Sequence, residues 1–137
     1  MLVVLDTNVV VSGLLNPGGA PGTILRLVLD NRVTLVLDAR ILGEYREVLN
    51  RPRFPFDQDD VAFVLSYIEQ AGEWGNATEV SKNLPDPDDL PFLEVAIGSK
   101  VDALITGNAR HFPETSRTSA TVLTPSGFLQ IFHQTMD

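Results

Sequence analysis

The chain contains no cysteine. Disulfides, thiolate metal sites and cysteine nucleophiles are all excluded, and a cytoplasmic location fits such a composition. No apolar run approaches the roughly 20 residues that span a bilayer, so no membrane partner is expected. The N-terminus lacks both the basic segment and the long apolar segment of a secretory signal. Positive charge is scarce, with 10 Lys and Arg against 18 Asp and Glu and a formal net charge of −8. That balance argues against a protein that coats nucleic acid through a broad basic face. It leaves a nuclease open, because divalent cations reverse the local sign at a carboxylate cluster. No Gly-rich phosphate loop with a following lysine occurs, and no Cys/His zinc spacing. The two histidines, His111 after a loop and His133 in the last helix, form no Ser-His-acid pattern. Internal repeats, low-complexity segments and linkers are also missing.

What remains is 137 residues with 44% hydrophobic content, the size of one domain with one core spanning residues 1–137. Strand and helix signals alternate. The opening Leu2-Val3-Val4-Leu5 reads as a strand buried on both faces, stopped by Asp6. Helical patterns follow over 7–15, ended by Asn16-Pro17-Gly18-Gly19, and over 23–31. A strand is expected at 33–37, and helices at 39–49 and 58–70, separated by Arg51-Pro52-Arg53-Phe54-Pro55. Residues 74–80 are ambiguous and hold at most a short strand. A loop over 84–88 precedes a helix at 89–99, with Pro91 in its first turn. Strands at 103–106 and 120–123 and a helix from 125 to about 133 complete the pattern. Such alternation implies βαβ units and a parallel sheet.

Acidic residues mark four places. Asp6 ends the first strand, where open parallel sheets bind ligands. A carboxylate buried there needs a hydrogen-bond network or a cation, although Asp is equally a favoured helix cap. Glu44 sits at the margin of the apolar stripe of its helix and could look into a cleft. Asp86, Asp88 and Asp89 exceed the single acid that a turn and cap require, and they repel one another unless a cation is near. Thr106-Gly107-Asn108 ends another strand, on the same sheet edge as Asp6. Hard divalent cations take oxygen ligands of this kind, and two ions about 4 Å apart can stabilise both oxygens of a phosphodiester displacement.

These segments carry a resemblance. Leu5-Asp6-Thr7-Asn8-Val9, Glu44-Tyr45-Arg46-Glu47-Val48-Leu49, Asp86-Pro87-Asp88-Asp89 with Phe92-Leu93-Glu94-Val95-Ala96, and Ile105-Thr106-Gly107-Asn108 together resemble PIN-domain proteins. The likeness runs in order over almost the full length, particularly to the bacterial toxin components of toxin–antitoxin systems. It implies a three-layer α/β/α fold with a central parallel sheet of about five strands. It also implies a metal-dependent ribonuclease using Mg²⁺ or Mn²⁺, with Asp6, Glu44 and Asp89 as its acids. Asp89 is preferred to Asp86 and Asp88 because its spacing to Ala96 matches the family helix.

Many members carry Asp where this chain has Asn108. An amide can ligate through its oxygen but brings no charge, which bears on a second metal site and on catalytic strength; Asp86, Asp88 or Asp102 are candidates to compensate. The expected arrangement has Asp6 and Asp89 holding one ion and Glu44 binding it through water or binding a second ion. Thr7, Asn8 and Thr106 are expected to hydrogen-bond the ligand carboxylates or to serve as caps and turns. Arg46, Arg51, Arg53 and Arg110 are candidate phosphate contacts. Single-stranded or loop RNA is the expected substrate, a cognate antitoxin the expected protein partner, and a homodimer the expected assembly. The competing class is an inactive PIN-like module that works by protein binding. A phosphoacceptor receiver domain fits less well, because such domains place a lysine after the last strand and this chain has Val122-Leu123-Thr124-Pro125.

Overall fold

The computed structural model describes residues 1–81 and 83–136. Its strands are β1 (Leu2–Leu5), β2 (Thr34–Leu37), β3 (Glu73–Trp74), β4 (Ala103–Ile105) and β5 (Val122–Leu123). Its helices are α1 (Thr7–Leu15), α2 (Ala20–Leu29), α3 (Ala39–Leu49), α4 (Gln58–Ala71), α5 (Leu90–Gly98) and α6 (Pro125–Met136). All strand pairs are parallel, in the order β3-β2-β1-β4-β5. The helices pack on the sheet in two associated groups, α1 with α2 and α6, and α3 with α4 and α5, giving three layers. Among the described residues no helix is long and apolar enough to cross a membrane.

The sheet order decides where a ligand can bind. From β1 the chain steps to β2 and β3 on one side and later to β4 and β5 on the other. β1 and β4 therefore flank the topological switch point, where the crossover connections diverge and leave a crevice beyond the strand ends. Val3, Val4 and Leu5 are fully buried, as are Leu104 and Ile105. Such strands suit a sheet covered on both faces.

Helix α5 is apolar almost all round, with Phe92 through Ala96 buried in succession, and it contacts β1, β2 and β4. This central packing seats the N-terminus of α5 beside the strand ends. Glu94, buried in the same helix, accepts from the Val80 backbone N–H at 3.0 Å and from Arg40 Nη1 at 2.7 Å. Its charge is thereby compensated.

Several boundaries differ from the sequence pattern. Helix α2 starts at Ala20 rather than at residue 23. Pro21 lies in its first turn, where a missing N–H costs nothing, and Gly22 lets the helix close onto the Pro17 backbone. The ambiguous stretch 74–80 contributes only Trp74 to a short strand, Glu73–Trp74, and the last strand starts at Val122 instead of residue 120. The helix expected from residue 89 begins one residue later, after a 3₁₀ turn over Pro87–Asp89.

Candidate metal centre

Asp6 lies at the carboxyl end of β1, only 4% exposed. Its N–H donates to the Ile105 carbonyl at 2.9 Å, so the ladder to β4 holds its backbone. Asp6 Oδ2 accepts from Thr106 Oγ1 at 2.7 Å and from Asn8 Nδ2 at 3.1 Å. Asn8 Oδ1 accepts from the Gly107 N–H at 3.1 Å, which ties the β1–α1 junction to the loop after β4. Thr106 Oγ1 also accepts from the Asn108 N–H at 3.1 Å. Burial raises the Asp6 pKa above its ordinary value, against the opposing effect of these hydrogen bonds. The Asp6 side chain makes no cap hydrogen bond to α1.

The acids at 86–89 divide by role. Asp86 is the cap: its Oδ1 accepts from the Asp88 N–H at 3.0 Å. Asp88 is exposed. Asp89 stands directly before α5, makes no cap hydrogen bond and is 7% exposed. Its Oδ2 is buried and accepts no hydrogen bond from the described residues. The proximity of His111 Nδ1, at 3.2 Å, is its one ionic contact among the described residues. Burial pushes the Asp89 pKa up to about 7, and the negative charge of Asp6 adds to the effect.

Glu44 projects from α3, half-buried, and its Oε2 accepts from Thr7 Oγ1. Burial raises its pKa, with Asp6, Asp88 and Asp86 contributing. Behind it, the buried Tyr45 hydroxyl donates to the Leu5 carbonyl at 2.5 Å, fixing α3 against the strand that carries Asp6.

These side chains surround a hollow of about 350 Å³, lined by Asp6, Thr7, Asn8, Glu44, Asp86, Asp88, Asp89 and His111 together with Val11, Ser12, Val48, Arg51, Arg53 and Phe54. One ligand atom each from Asp6, Asp89 and His111 lies within 4.8 Å of the others. Two buried carboxylates, one with an unpartnered oxygen, are costly without a cation. The donor set therefore fits a divalent ion, and Glu44 lies outside this closest group but in the same hollow.

Other candidates lie elsewhere. Asn108 does not line the hollow; its Oδ1 accepts from the Arg110 N–H at 3.2 Å and caps a 3₁₀ turn over Ala109–His111. The expected ligand position is thus taken by a cap, because the chain turns immediately after β4. Asp102 cannot compensate: its Oδ2 accepts from the Leu2 N–H at 2.8 Å, at the amino end of β1 and across the sheet from Asp6. Arg46 pairs loosely with Glu69 at 3.7 Å, away from the lining. Arg110 also lies outside the lining. Arg51 and Arg53 do line it, Arg51 in a fork with Glu47 at 2.9 Å and Arg53 over the Phe54 ring at 4.9 Å. The sequence pattern passed over His111, because histidine was weighed only as a nucleophile's base and in Cys/His zinc spacings. The available signal was its place three residues after a capping Asn.

Residues 2–110 match the PIN domain family. The chain is also similar to an uncharacterized protein of Methanocaldococcus jannaschii, at 30% identity over 109 residues, covering 77% of this chain and 70% of that protein.

Proposed function

The chain belongs to the PIN-domain family, and from that premise we propose that it is a metal-dependent endoribonuclease, the toxin of a toxin–antitoxin pair. The observation that carries this reading is the buried Asp89 Oδ2, which accepts no hydrogen bond from the described residues, close to Asp6 in an open hollow. Asp6 and Asp89 would hold Mg²⁺ or Mn²⁺, with the oxygen donors such ions prefer. When bound, the ion polarises the phosphate and lowers the pKa of water.

The protein's own groups do the rest. Thr106 and Asn8 orient the Asp6 carboxylate, and Thr7 orients Glu44. Glu44 holds the attacking water at the rim, and its raised pKa suits it to accept a proton. Arg53, and Arg51 on exchanging its Glu47 partner, neutralise flanking phosphates of single-stranded or loop RNA. A cytoplasmic location goes with this reading.

Cleavage of mixed RNAs with Mg²⁺ or Mn²⁺ tests it. Asp6→Asn should lower the rate by about 100-fold or more, in the range of removing one electrostatic contact to the reaction. Cleavage that survives both this substitution and chelation overturns the proposal.

A second reading, a PIN-like module acting through protein binding alone, is favoured by the uncharged Asn108 and its use as a cap. Absence of Mg²⁺ and Mn²⁺ binding at millimolar concentration would select it.

A further inference from the structure

We propose that His111 is a nitrogen ligand of the ion held by Asp6 and Asp89, and that this donor biases the site toward Mn²⁺ over Mg²⁺. The inference rests on the metal-dependent reading above. Three observations carry it. An imidazole nitrogen of His111 shares a 4.8 Å neighbourhood with oxygens of both carboxylates. The oxygen it approaches, Asp89 Oδ2, is buried and accepts no hydrogen bond, and Asp89 itself is 7% exposed. The third is the way the histidine is delivered. Asn108 caps the turn after β4 through its side chain, and its carbonyl accepts from the His111 N–H at 3.1 Å. That turn reverses the chain and returns position 111 to the hollow.

Asn108, itself outside the lining, is therefore the device that brings in a nitrogen donor. His111 lies just beyond the span of the family match, which ends at residue 110. The chemistry follows from donor type. Mg²⁺ prefers oxygen and keeps its waters, whereas imidazole suits first-row transition ions. A site of two carboxylates and one imidazole takes Mn²⁺ in preference to Mg²⁺.

Pulsed electron paramagnetic resonance on the full chain loaded with Mn²⁺ alone reads the ligand directly. Imidazole nitrogen coupling is expected in the wild type and in His133→Asn, and should be lost in His111→Ala. Calorimetric titration with Mn²⁺ and with Mg²⁺ gives the second readout. In His111→Asp, which offers oxygen instead, the Mn²⁺-to-Mg²⁺ affinity ratio should fall about tenfold or more, since even changes behind the ligands cost that much. Mn²⁺ bound without nitrogen coupling, or coupling that survives His111→Ala, overturns the histidine assignment and leaves the metal-dependent reading standing. A wild type that binds neither ion overturns both.

Discussion

Replacing Asp89 by asparagine should make the ion-free protein more stable, and only in a defined pH range. In the folded chain the Asp89 carboxyl is pushed from 3.8 to about 7 by burial, by Asp6 and by smaller repulsions from Asp86 and Glu44, with His111 opposing. The folded state thus binds this proton more tightly than the unfolded state does. Stability is greatest below the unfolded value, falls as pH rises from about 4, and the loss is complete above about 7. The gap between 3.8 and about 7, at ~1.4 kcal/mol per tenfold in proton affinity, caps the penalty at ~4 kcal/mol. Losing the contact with His111 and relaxing the neighbouring groups reduce the net gain of Asp89→Asn to about 2 kcal/mol at pH 8.

Urea unfolding in chelator, at pH 4 and pH 8, measures this. The two proteins should be nearly equal at pH 4, and the variant should be the more stable at pH 8. Millimolar Mn²⁺ should reverse the order at pH 8, because binding at 100 times the dissociation constant adds about 2.7 kcal/mol to the wild type alone. A variant less stable than wild type at pH 8 in chelator, or a difference independent of pH, refutes the argument that a charged Asp89 destabilises the fold when no cation is bound.

Two further outcomes concern the scaffold. Tyr45→Phe removes the buried hydroxyl bonded to the Leu5 carbonyl and should cost about 1–2 kcal/mol in urea unfolding; an unchanged midpoint would show that this bond does not anchor α3. At Gly22 an added Cβ would lie 2.3 Å from the Pro17 carbonyl oxygen, whereas at Gly43 it meets nothing within 4 Å. Thermal unfolding should therefore show Gly22→Ala destabilised by about 1–3 kcal/mol and Gly43→Ala unchanged or stabilised by up to about 1 kcal/mol. Equal effects at the two glycines would contradict the close approach of α2 to the preceding turn.

Much of the fold was legible because its signals are local. The run Leu2–Leu5 and the helix Ala39–Leu49 appear with the bounds their patterns imply. The start of α2 slipped because Pro21 and Gly22 stand outside the apolar periodicity that marks 23–31, although Pro21 lies in the helix's first turn. The strand near residue 74 was faint because Glu73–Trp74 is a two-residue exposed edge with no apolar alternation to detect.

The site was legible in part. Asp6, Glu44 and Asp89 do line one hollow, and the family resemblance had implied all three. Composition could not distinguish Asp86, which caps a turn, from Asp89, which does not, since the same residue type serves both uses. A related limit applies at Asn108, where lying near a strand end does not determine which way a side chain turns, and this one caps a 3₁₀ turn.

By itself the sequence determined that strands and helices alternate, that the sheet is parallel, and that its first strand ends in an acid, because each of these follows from patterns within a few residues. Only the tertiary structure decided which carboxylate oxygen has no partner and that His111 joins the acids. Those facts depend on segments brought together by the sheet order, as when Thr106 reaches Asp6 across 100 residues, and no local pattern encodes a contact made at that separation.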